Sequence, residues 1–130
     1  MTTVLVADED ATIRQVVGMV LEDEGYTFLE SATAATTLHL LATVTTPMVV
    51  LLTLSLAPST TILVQTIANS PALHRRHRFL LVTSRILRES DPHEAAVMQS
   101  LRSFTHGTLR KPFEIESLLT CIQEAETTFS

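Results

Sequence analysis

One stretch decides the fold, Pro47-Met48-Val49-Val50-Leu51-Leu52-Thr53-Leu54-Ser55-Leu56, an apolar run that first admits a hydroxyl at Thr53. A short apolar run bounded by prolines, here Pro47 and Pro58, is typical of a strand buried on both faces in the middle of a parallel sheet. Thr53 then lies at the carboxyl end of that strand, where open α/β sheets collect their ligands and their chemistry. The functional interpretation therefore depends on Thr53, which is not an acid.

Length and composition predict one globular domain, residues 1–130, because a chain with 45% hydrophobic residues can bury a core without disulfides. The single cysteine, Cys121, lies in a helical apolar pattern and is interpreted as a small buried hydrophobe. No signal sequence opens the chain, and no apolar run approaches the roughly 20 residues that cross a bilayer. We therefore expect a soluble, cytoplasmic protein without membrane contact.

The net charge of −5 argues against a direct role in nucleic-acid binding. The local basic run from His74 to Arg78 is interpreted as a solvated loop before a strand. The histidines show no helical i, i+4 pairing and no neighbouring cysteine, which predicts surface side chains rather than a zinc site. They are His39, His74, His77, His93 and His106.

Strand and helix signals alternate along the chain. Apolar, β-branched runs predict strands at 3–7, 26–30, 48–53, 79–83 and 105–110. The first helix begins after Asp10, a good N-cap, and ends at Gly25, a left-handed stop. Helical spacing of apolar residues predicts four more helices at 34–42, 60–68, 92–104 and 115–122. The tail 126–130 is expected to fray.

Five strands alternating with five helices predict an α/β doubly wound parallel sheet, because parallel neighbours need right-handed helical crossovers. The expected strand order is 2-1-3-4-5, which places the ends of strands one and three side by side. Asp8, Glu9 and Thr53 should then face one another. The chain has only three glycines and no glycine-rich fingerprint after the first strand, which argues against a Rossmann or P-loop nucleotide site.

Two motifs resemble the receiver domains of response regulators. Val4-Leu5-Val6-Ala7-Asp8-Glu9-Asp10-Ala11-Thr12-Ile13-Arg14 is similar to the opening of that family, and Leu109-Arg110-Lys111-Pro112-Phe113 is similar to its lysine-proline-phenylalanine signature. Thr83-Ser84 ends the fourth strand, and the separations of 45 residues from Asp8 to Thr53 and 30 from Thr53 to Thr83 are those usual in the family. The resemblance covers nearly the whole chain and implies a flavodoxin-like, CheY-like receiver fold.

In that family a central aspartate accepts a phosphoryl group from a histidine kinase. The reaction needs a carboxylate nucleophile, a divalent cation that neutralises the developing charge, and a lysine paired with the phosphate oxygens. The resemblance implies, by position, metal-holding acids at Asp8 and Glu9, the nucleophile's position at Thr53, a metal-binding carbonyl at Ser55, the switch hydroxyl at Thr83, and the pocket lysine and its cis-proline at Lys111 and Pro112.

Thr53 departs from the family at its decisive position. A threonine hydroxyl needs a general base to attack phosphorus, whereas a carboxylate attacks as it stands. The loss of a hard oxygen ligand leaves at most weak magnesium binding by Asp8 and Glu9, and we expect no other cofactor. Lys111 beside these acids is then interpreted as a structural ion pair.

Other departures agree with this interpretation. Thr108 stands where the family commonly has an aromatic switch residue and is too small for that role. Ala57-Pro58 and Thr61 replace the proline and glycine expected after the central strand. The stretch from Thr83 to Lys111 is longer than usual, which predicts an extension in the loop 85–90 or in the fourth helix.

The favoured function is a non-enzymatic, atypical receiver of two-component phosphorelay signalling that works as a phosphorylation-independent interaction module. Its partner would be a histidine kinase or an output regulator, and a homodimer is also open. The alternative is a receiver that accepts a phosphoryl group on a substitute acid, Asp8, Glu9 or Asp10. A flavin-binding role is weaker, because the loops after strands one and three lack the residues that wrap a phosphate.

The expected binding surface is built from the fourth predicted helix, the fifth strand and the final helix. The extension between Thr83 and Lys111 falls there, and long connections in compact domains are often functional. The first helix with the final helix is a competing surface, on which we expect Arg14 to be exposed.

Overall fold

The structure is a computed structural model that describes residues 2–54, 60–83 and 90–129, except for the side chains of Thr60 and His93. Its strands are β1 Thr3–Ala7, β2 Thr27–Ser31, β3 Met48–Thr53, β4 Arg78–Thr83 and β5 Thr105–Arg110. Its helices are α1 Ala11–Asp23, α2 Ala34–Thr43, α3 Thr60–Ala68, α4 Pro71–Arg76, α5 Pro92–Arg102 and α6 Ile115–Glu126. None of these helices combines the length and the apolar character needed to span a membrane.

The five strands pair in parallel in the order β2-β1-β3-β4-β5, which confirms the predicted doubly wound fold. β3 lies in the centre, and all six of its residues are buried. Successive side chains of a strand point to opposite faces. Met48, Val50 and Leu52 therefore join a core against α2, α3 and α5, whereas Val49 and Leu51 join one against α1 and α6.

The first helix has the ends that the sequence predicts. The Asp10 carboxylate accepts hydrogen bonds from the backbone N–H groups of Thr12 and Ile13, so it caps α1. Gly25 follows the helix with a φ of 85°, a conformation that favours glycine. The helix also approaches β2 closely, because a Cβ atom built on Gly18 would lie 2.4 Å from the Phe28 ring.

The basic run is not the predicted loop. A sixth helix, α4, occupies Pro71–Arg76, and Ser70 followed by a proline at the first helical position is the signal that marks its start. His77 is completely buried, so the prediction of a surface side chain is wrong for this histidine. Its Nδ1 accepts a hydrogen bond from the Met48 N–H at 3.1 Å, and its Nε2 lies 3.4 Å from the Leu41 carbonyl oxygen.

The end of the chain is docked as far as Phe129, so the prediction of a frayed tail is wrong for these residues. Thr2 and Tyr26 both donate hydrogen bonds to the Glu126 carboxylate. The Arg78 guanidinium lies 4.7 Å from the centre of the Phe129 ring and donates to the hydroxyl and carbonyl oxygens of Thr128. These contacts join residues that are far apart in the sequence, so they cannot be predicted from a local sequence pattern.

Candidate functional site

Asp8 and Thr53 come together at the carboxyl edge of the sheet, as the strand order predicts. Ala7 pairs with Leu52 in the parallel register of β1 and β3. The next residue along each chain segment is Asp8 in one case and Thr53 in the other, so these two residues lie side by side. Both are buried, with 4% and 2% of their surface exposed. They line one cavity of about 10 Å³.

The cavity beside Asp8 and Thr53 is small and largely apolar. Its other lining residues are Val6, Ala7, Ile13, Val17, Leu51, Val82 and Phe113. A cavity needs roughly 10–15 Å³ to hold one water molecule, so this one has room for about one.

Both oxygens of the Asp8 carboxylate accept hydrogen bonds. Oδ1 accepts from the Asp10 backbone N–H at 2.9 Å, and Oδ2 accepts from the Lys111 ammonium at 2.6 Å. The Asp8 side chain is 5% exposed and the Lys111 side chain 22% exposed, so this ion pair is largely shielded from water. A charge-assisted bond in such a place neutralises a carboxylate that burial would otherwise destabilise.

Two backbone features accompany the ion pair of Lys111 with Asp8. The Lys111 N–H donates to the Thr83 carbonyl oxygen at 2.9 Å, which extends the pairing of β4 and β5 by one residue. The Lys111-Pro112 peptide bond is cis, as predicted. Thr83 itself is buried at the end of β4, on the strand next to Thr53. The structure thus brings Thr53, Thr83, Lys111 and Asp8 to one edge.

Of the remaining acids, Asp10 caps α1 as the sequence predicts, and Glu9 lies outside the cavity that Asp8 and Thr53 share. Glu9 is exposed. The Asp10 carboxylate is used by α1, because it accepts from the Thr12 N–H at 2.9 Å and the Ile13 N–H at 3.4 Å. The predicted cluster therefore reduces to Asp8 and Thr53, with Glu9 at its margin.

Arg14 belongs to the site, although the sequence predicts an exposed position for it on the first helix. Its Nη1 donates to the Asp8 carbonyl oxygen at 2.7 Å, and its Nε donates to the Glu30 carboxylate at 3.2 Å. Its side chain is only 17% exposed. The position of Arg14 one turn after the cap Asp10 directs it back to the end of β1, and this spacing is the signal that could have found it.

Several predicted features lie outside the described residues. They are Ser55, Ala57-Pro58, Ser84 and the extension as far as residue 89. Thr108 is described and is exposed on β5, opposite Leu81 of β4. Thr61 is the second residue of α3, which starts at residue 60 as the sequence predicts.

The side chains of Asp8 and Thr53 are poorly suited to bind a magnesium ion tightly. Mg²⁺ is bound through carboxylates and keeps several water ligands. Here Thr53 offers a hydroxyl, and the Asp8 carboxylate already accepts from Lys111 and from a backbone N–H. Among residues 2–54, 60–83 and 90–129 there is no group of three His, Cys, Asp or Glu side chains placed to hold a metal ion.

Solved structures identify the fold. The chain is similar to the receiver domain of a Francisella response regulator (19% identity, TM-score 0.79, all of both chains covered). It is also similar to a CheY-like receiver domain protein from Methanospirillum hungatei JF-1 (21% identity, TM-score 0.73, 95% of this chain and 92% of the other). A chemotaxis response regulator of Vibrio cholerae gives 22% identity and a TM-score of 0.74 over 96% of this chain and 98% of its own.

The chain therefore has the fold of a CheY-like response-regulator receiver domain. No protein-family model matches its sequence, and no curated protein matches it either. At these levels of identity the structural likeness defines the fold and leaves the function to be argued from the site.

Proposed function

We propose that this chain is an atypical receiver domain that acts in two-component signalling as a protein-interaction module without being phosphorylated. In this proposal it is a cytoplasmic, non-enzymatic domain. One observation carries the proposal: the buried residue at the end of the central strand, beside Asp8 and Lys111, is Thr53. A receiver that accepts a phosphoryl group has a carboxylate nucleophile at this position.

The surroundings of Thr53 also argue against phosphoryl transfer to its hydroxyl. A hydroxyl nucleophile needs a general base within hydrogen-bond reach. The nearest carboxylate on the same cavity is Asp8, and its two oxygens already accept from Lys111 and from the Asp10 N–H. Transfer of the Thr53 proton to Asp8 would break the buried, charge-assisted hydrogen bond between Lys111 and Asp8. The activation barrier for phosphoryl transfer to the Thr53 hydroxyl is therefore raised.

The alternative, transfer to a substitute acid, narrows to Glu9. Asp8 is buried and paired with Lys111, and the Asp10 carboxylate caps α1. Glu9 is exposed and adjacent to the site, so it is the acid that a phosphodonor would reach. Any phosphoryl group found on this chain should therefore map to Glu9.

Intact-mass spectrometry after incubation with acetyl phosphate and magnesium tests the proposal. The expected result is an unchanged mass for the natural chain, and a parallel sample of Glu9→Gln shows whether any gain depends on that acid. A stable gain of one phosphoryl group in the natural chain would overturn the proposal. A colourless purified protein would exclude the flavin-binding alternative.

The variant Thr53→Asp tests the state of the pocket. We expect it to raise magnesium affinity more than any other single change, because it adds a carboxylate beside Asp8, in the cavity next to the exposed Glu9. Isothermal titration with magnesium measures the effect, and Thr53→Asn, which has a similar size and no charge, is its matched control. Equal magnesium affinity in both variants would show that the pocket can no longer hold the ion.

For the interaction surface we propose the face of α5, β5 and α6, on which a partner kinase, an output regulator or a second copy would dock. An open groove of about 390 Å³ follows α5 along Ala95, Met98, Gln99 and Arg102. The competing surface has support of its own, since Met19 on α1 is 67% exposed and Ile115 on α6 is 53% exposed.

Two charge insertions separate these surfaces, Met98→Glu in the α5 groove and Met19→Glu on α1. Sedimentation measures self-association, and a pull-down measures binding of a candidate kinase. We expect Met98→Glu to weaken association and Met19→Glu to leave it unchanged. The opposite pattern would move the interface to α1 and α6. Arg14, which contacts Asp8 and Glu30, is unsuitable for this test because its loss would disturb the pocket.

A further inference from the structure

The open groove along α5 has the residue spacing by which one helix packs on another. Its lining residues Ala95, Met98, Gln99 and Arg102 are spaced at i, i+3, i+4 and i+7, so they share one side of the helix. Asp91 continues this line at the start of the helix, because the Ala95 N–H donates to the Asp91 carbonyl oxygen at 2.8 Å. Asp91, Ala95, Met98 and Arg102 follow one another at the alternating spacing of four and three residues that is typical of coiled coils.

These four residues, here called the α5 seam, lie on a different side of α5 from the residues that pack on the core. Leu101 is 3% exposed and Val97 packs against the same core cluster. Ala95 and Met98 are partly exposed, and the residues at the two ends of the seam are fully exposed. The middle of the seam therefore offers apolar side chains that this domain does not cover completely.

The charges of the α5 seam select the direction of a second helix. Two copies of α5 packed in parallel would place Asp91 against Asp91 and Arg102 against Arg102, and such like-charge contacts are unfavourable. Antiparallel packing instead places each Asp91 against the Arg102 of the other copy. Both side chains are exposed, so each has room for a partner from another chain in addition to its contacts within its own. The seam is therefore complementary to its own reverse.

The apolar residues of the seam fit the same antiparallel register. When Asp91 lies opposite Arg102, Ala95 lies opposite Met98, because both pairs are symmetric about the middle of the seam. A small side chain facing a large one allows the two surfaces to interdigitate. The arrangement is repeated on the two sides of a two-fold axis, so the contact is isologous and closes at two chains.

We propose that the α5 seam is a self-recognition surface, through which two copies of this chain form a two-fold dimer with antiparallel α5 helices. The inference rests on the proposed function for its choice of face and names a second copy as the occupant of the groove. Three turns of helix make a short contact, so the dimer is weak, with a dissociation constant between micromolar and millimolar. Exposed charge pairs contribute little affinity, and their part here is to fix direction and register.

Sedimentation equilibrium at low ionic strength, over a range of protein concentrations, tests the dimer with a matched pair of variants. We expect the natural chain to associate as its concentration rises and to stop at two copies. Ala95→Glu should abolish this association, because it places a carboxylate in the apolar middle of the seam. Ala96→Glu makes the same substitution at the next position, which is exposed and outside the groove, and it should behave like the natural chain.

Charge reversal tests the register. Asp91→Arg alone and Arg102→Asp alone each replace two opposite-charge contacts by two like-charge contacts, so each variant should stay monomeric where the natural chain dimerises. An equimolar mixture of the two variants should dimerise again, because both contacts then join opposite charges. Circular dichroism confirms that each variant is folded.

A milder change at Asp91 guards against an effect on folding. The Asp91 carboxylate accepts a hydrogen bond from the Glu94 N–H at 3.4 Å, so it also caps α5. Asp91→Asn keeps a capping oxygen without the charge. It should therefore weaken the dimer several-fold and leave the circular dichroism spectrum unchanged.

Three results would overturn the inference: a natural chain that stays monomeric up to about 1 mM, equal association of the natural chain and Ala95→Glu, or no dimer in a mixture of the folded charge variants. A monomeric natural chain would leave the groove to a different protein, and the proposed function would stand. A phosphorylated chain in the mass test would refute the proposed function and leave the dimer standing.

Discussion

The carboxyl edge and the amino edge of the sheet each contain a buried polar group, but only one of these groups can be predicted from the sequence. At the carboxyl edge, Asp8 and Lys111 form a largely buried ion pair beside Thr53. At the amino edge, His77 is fully buried between the end of α2 and the start of β3, and Arg78 holds the end of the chain. Recognisable sequence motifs surround Asp8 and Lys111 at the carboxyl edge, whereas His77 and Arg78 at the amino edge belong to no such motif.

The difference follows from how each edge is built. The polar residues of the carboxyl edge end a strand or directly follow one, and parallel strands bring all such residues together once the strand order is known. The contacts of the amino edge depend on side chains that reach other elements. His77 reaches Met48 and Leu41, which are 29 and 36 residues away, and Arg78 reaches Thr128, 50 residues away. No spacing rule brings these residues together.

The largest effect should come from Lys111→Met at the carboxyl edge. Removal of one partner of a buried pair costs roughly 3–5 kcal/mol, and because the Lys111 side chain is 22% exposed we expect about 2–3 kcal/mol here. The cost arises because the Asp8 carboxylate stays buried without its cation. Urea unfolding followed by circular dichroism measures the free energy of unfolding.

The matched control for Lys111→Met is Arg110→Met, which removes an exposed cation from the preceding position. The double variant Asp8→Asn with Lys111→Met should recover part of the loss, since no unpaired charge remains. An effect of Lys111→Met as small as that of Arg110→Met would show that the pair contributes no stability. The pocket would then have no structural use for Lys111.

A smaller loss is expected from His77→Leu at the amino edge. Leucine is close to histidine in size but cannot accept the Met48 N–H bond, and a buried donor without an acceptor costs about 1–3 kcal/mol. We expect a loss of about 2 kcal/mol in the same urea experiment. His39→Leu, at an exposed position on α2, is the control and should change stability little. Equal losses in the two variants would contradict a role for the buried hydrogen bonds.

Particular residues show how far the sequence reaches. The strands and the caps of α1 follow from local patterns, because periodicity and helix ends are local properties. The strand order, and with it the meeting of Asp8 with Thr53, follows from the doubly wound topology. Lys111 and its cis-proline were predicted only through the family resemblance. The prediction that His77 is exposed is wrong, because the local sequence of a basic run does not show whether other elements of the fold bury one of its histidines. Sequence-based prediction fails most readily for residues such as His77, whose burial depends on contacts with distant parts of the chain.

A third prediction concerns the docked tail. Arg78→Met should lower stability by about 1 kcal/mol, because a cation–π contact contributes about 0.5–1 kcal/mol and the hydrogen bonds to Thr128 are partly exposed. Phe129→Ala should cost a similar amount, and the double variant should cost less than the two added together, since both changes remove the same contact. Arg75→Met, an exposed cation on α4, is the control. Strictly additive losses would show that Arg78 and Phe129 act independently.

The smallest effect should be a pH dependence set by the amino edge. Burial, with the charges of Arg76 and Arg78, lowers the pKa of His77 below its ordinary 6.5, although the Leu41 carbonyl opposes this shift. Since Nδ1 accepts the Met48 N–H, the neutral ring carries its proton on Nε2, and a second proton would break the Met48 bond. The unfolded chain therefore binds a proton first as the pH falls. The stabilisation is fully present above pH 6.5 and is lost as the pH falls toward the lowered pKa.

Urea unfolding at steps from pH 7.5 to pH 5 measures this dependence. We expect the free energy of unfolding to decline with falling pH below about 6.5. His77→Leu, which starts from a lower stability, should flatten that decline. His106 also has a lowered pKa and contributes in the same direction, so His106→Gln separates the two histidines. If His106→Gln flattens the curve and His77→Leu does not, the pH response comes from His106 on β5 rather than from the buried His77.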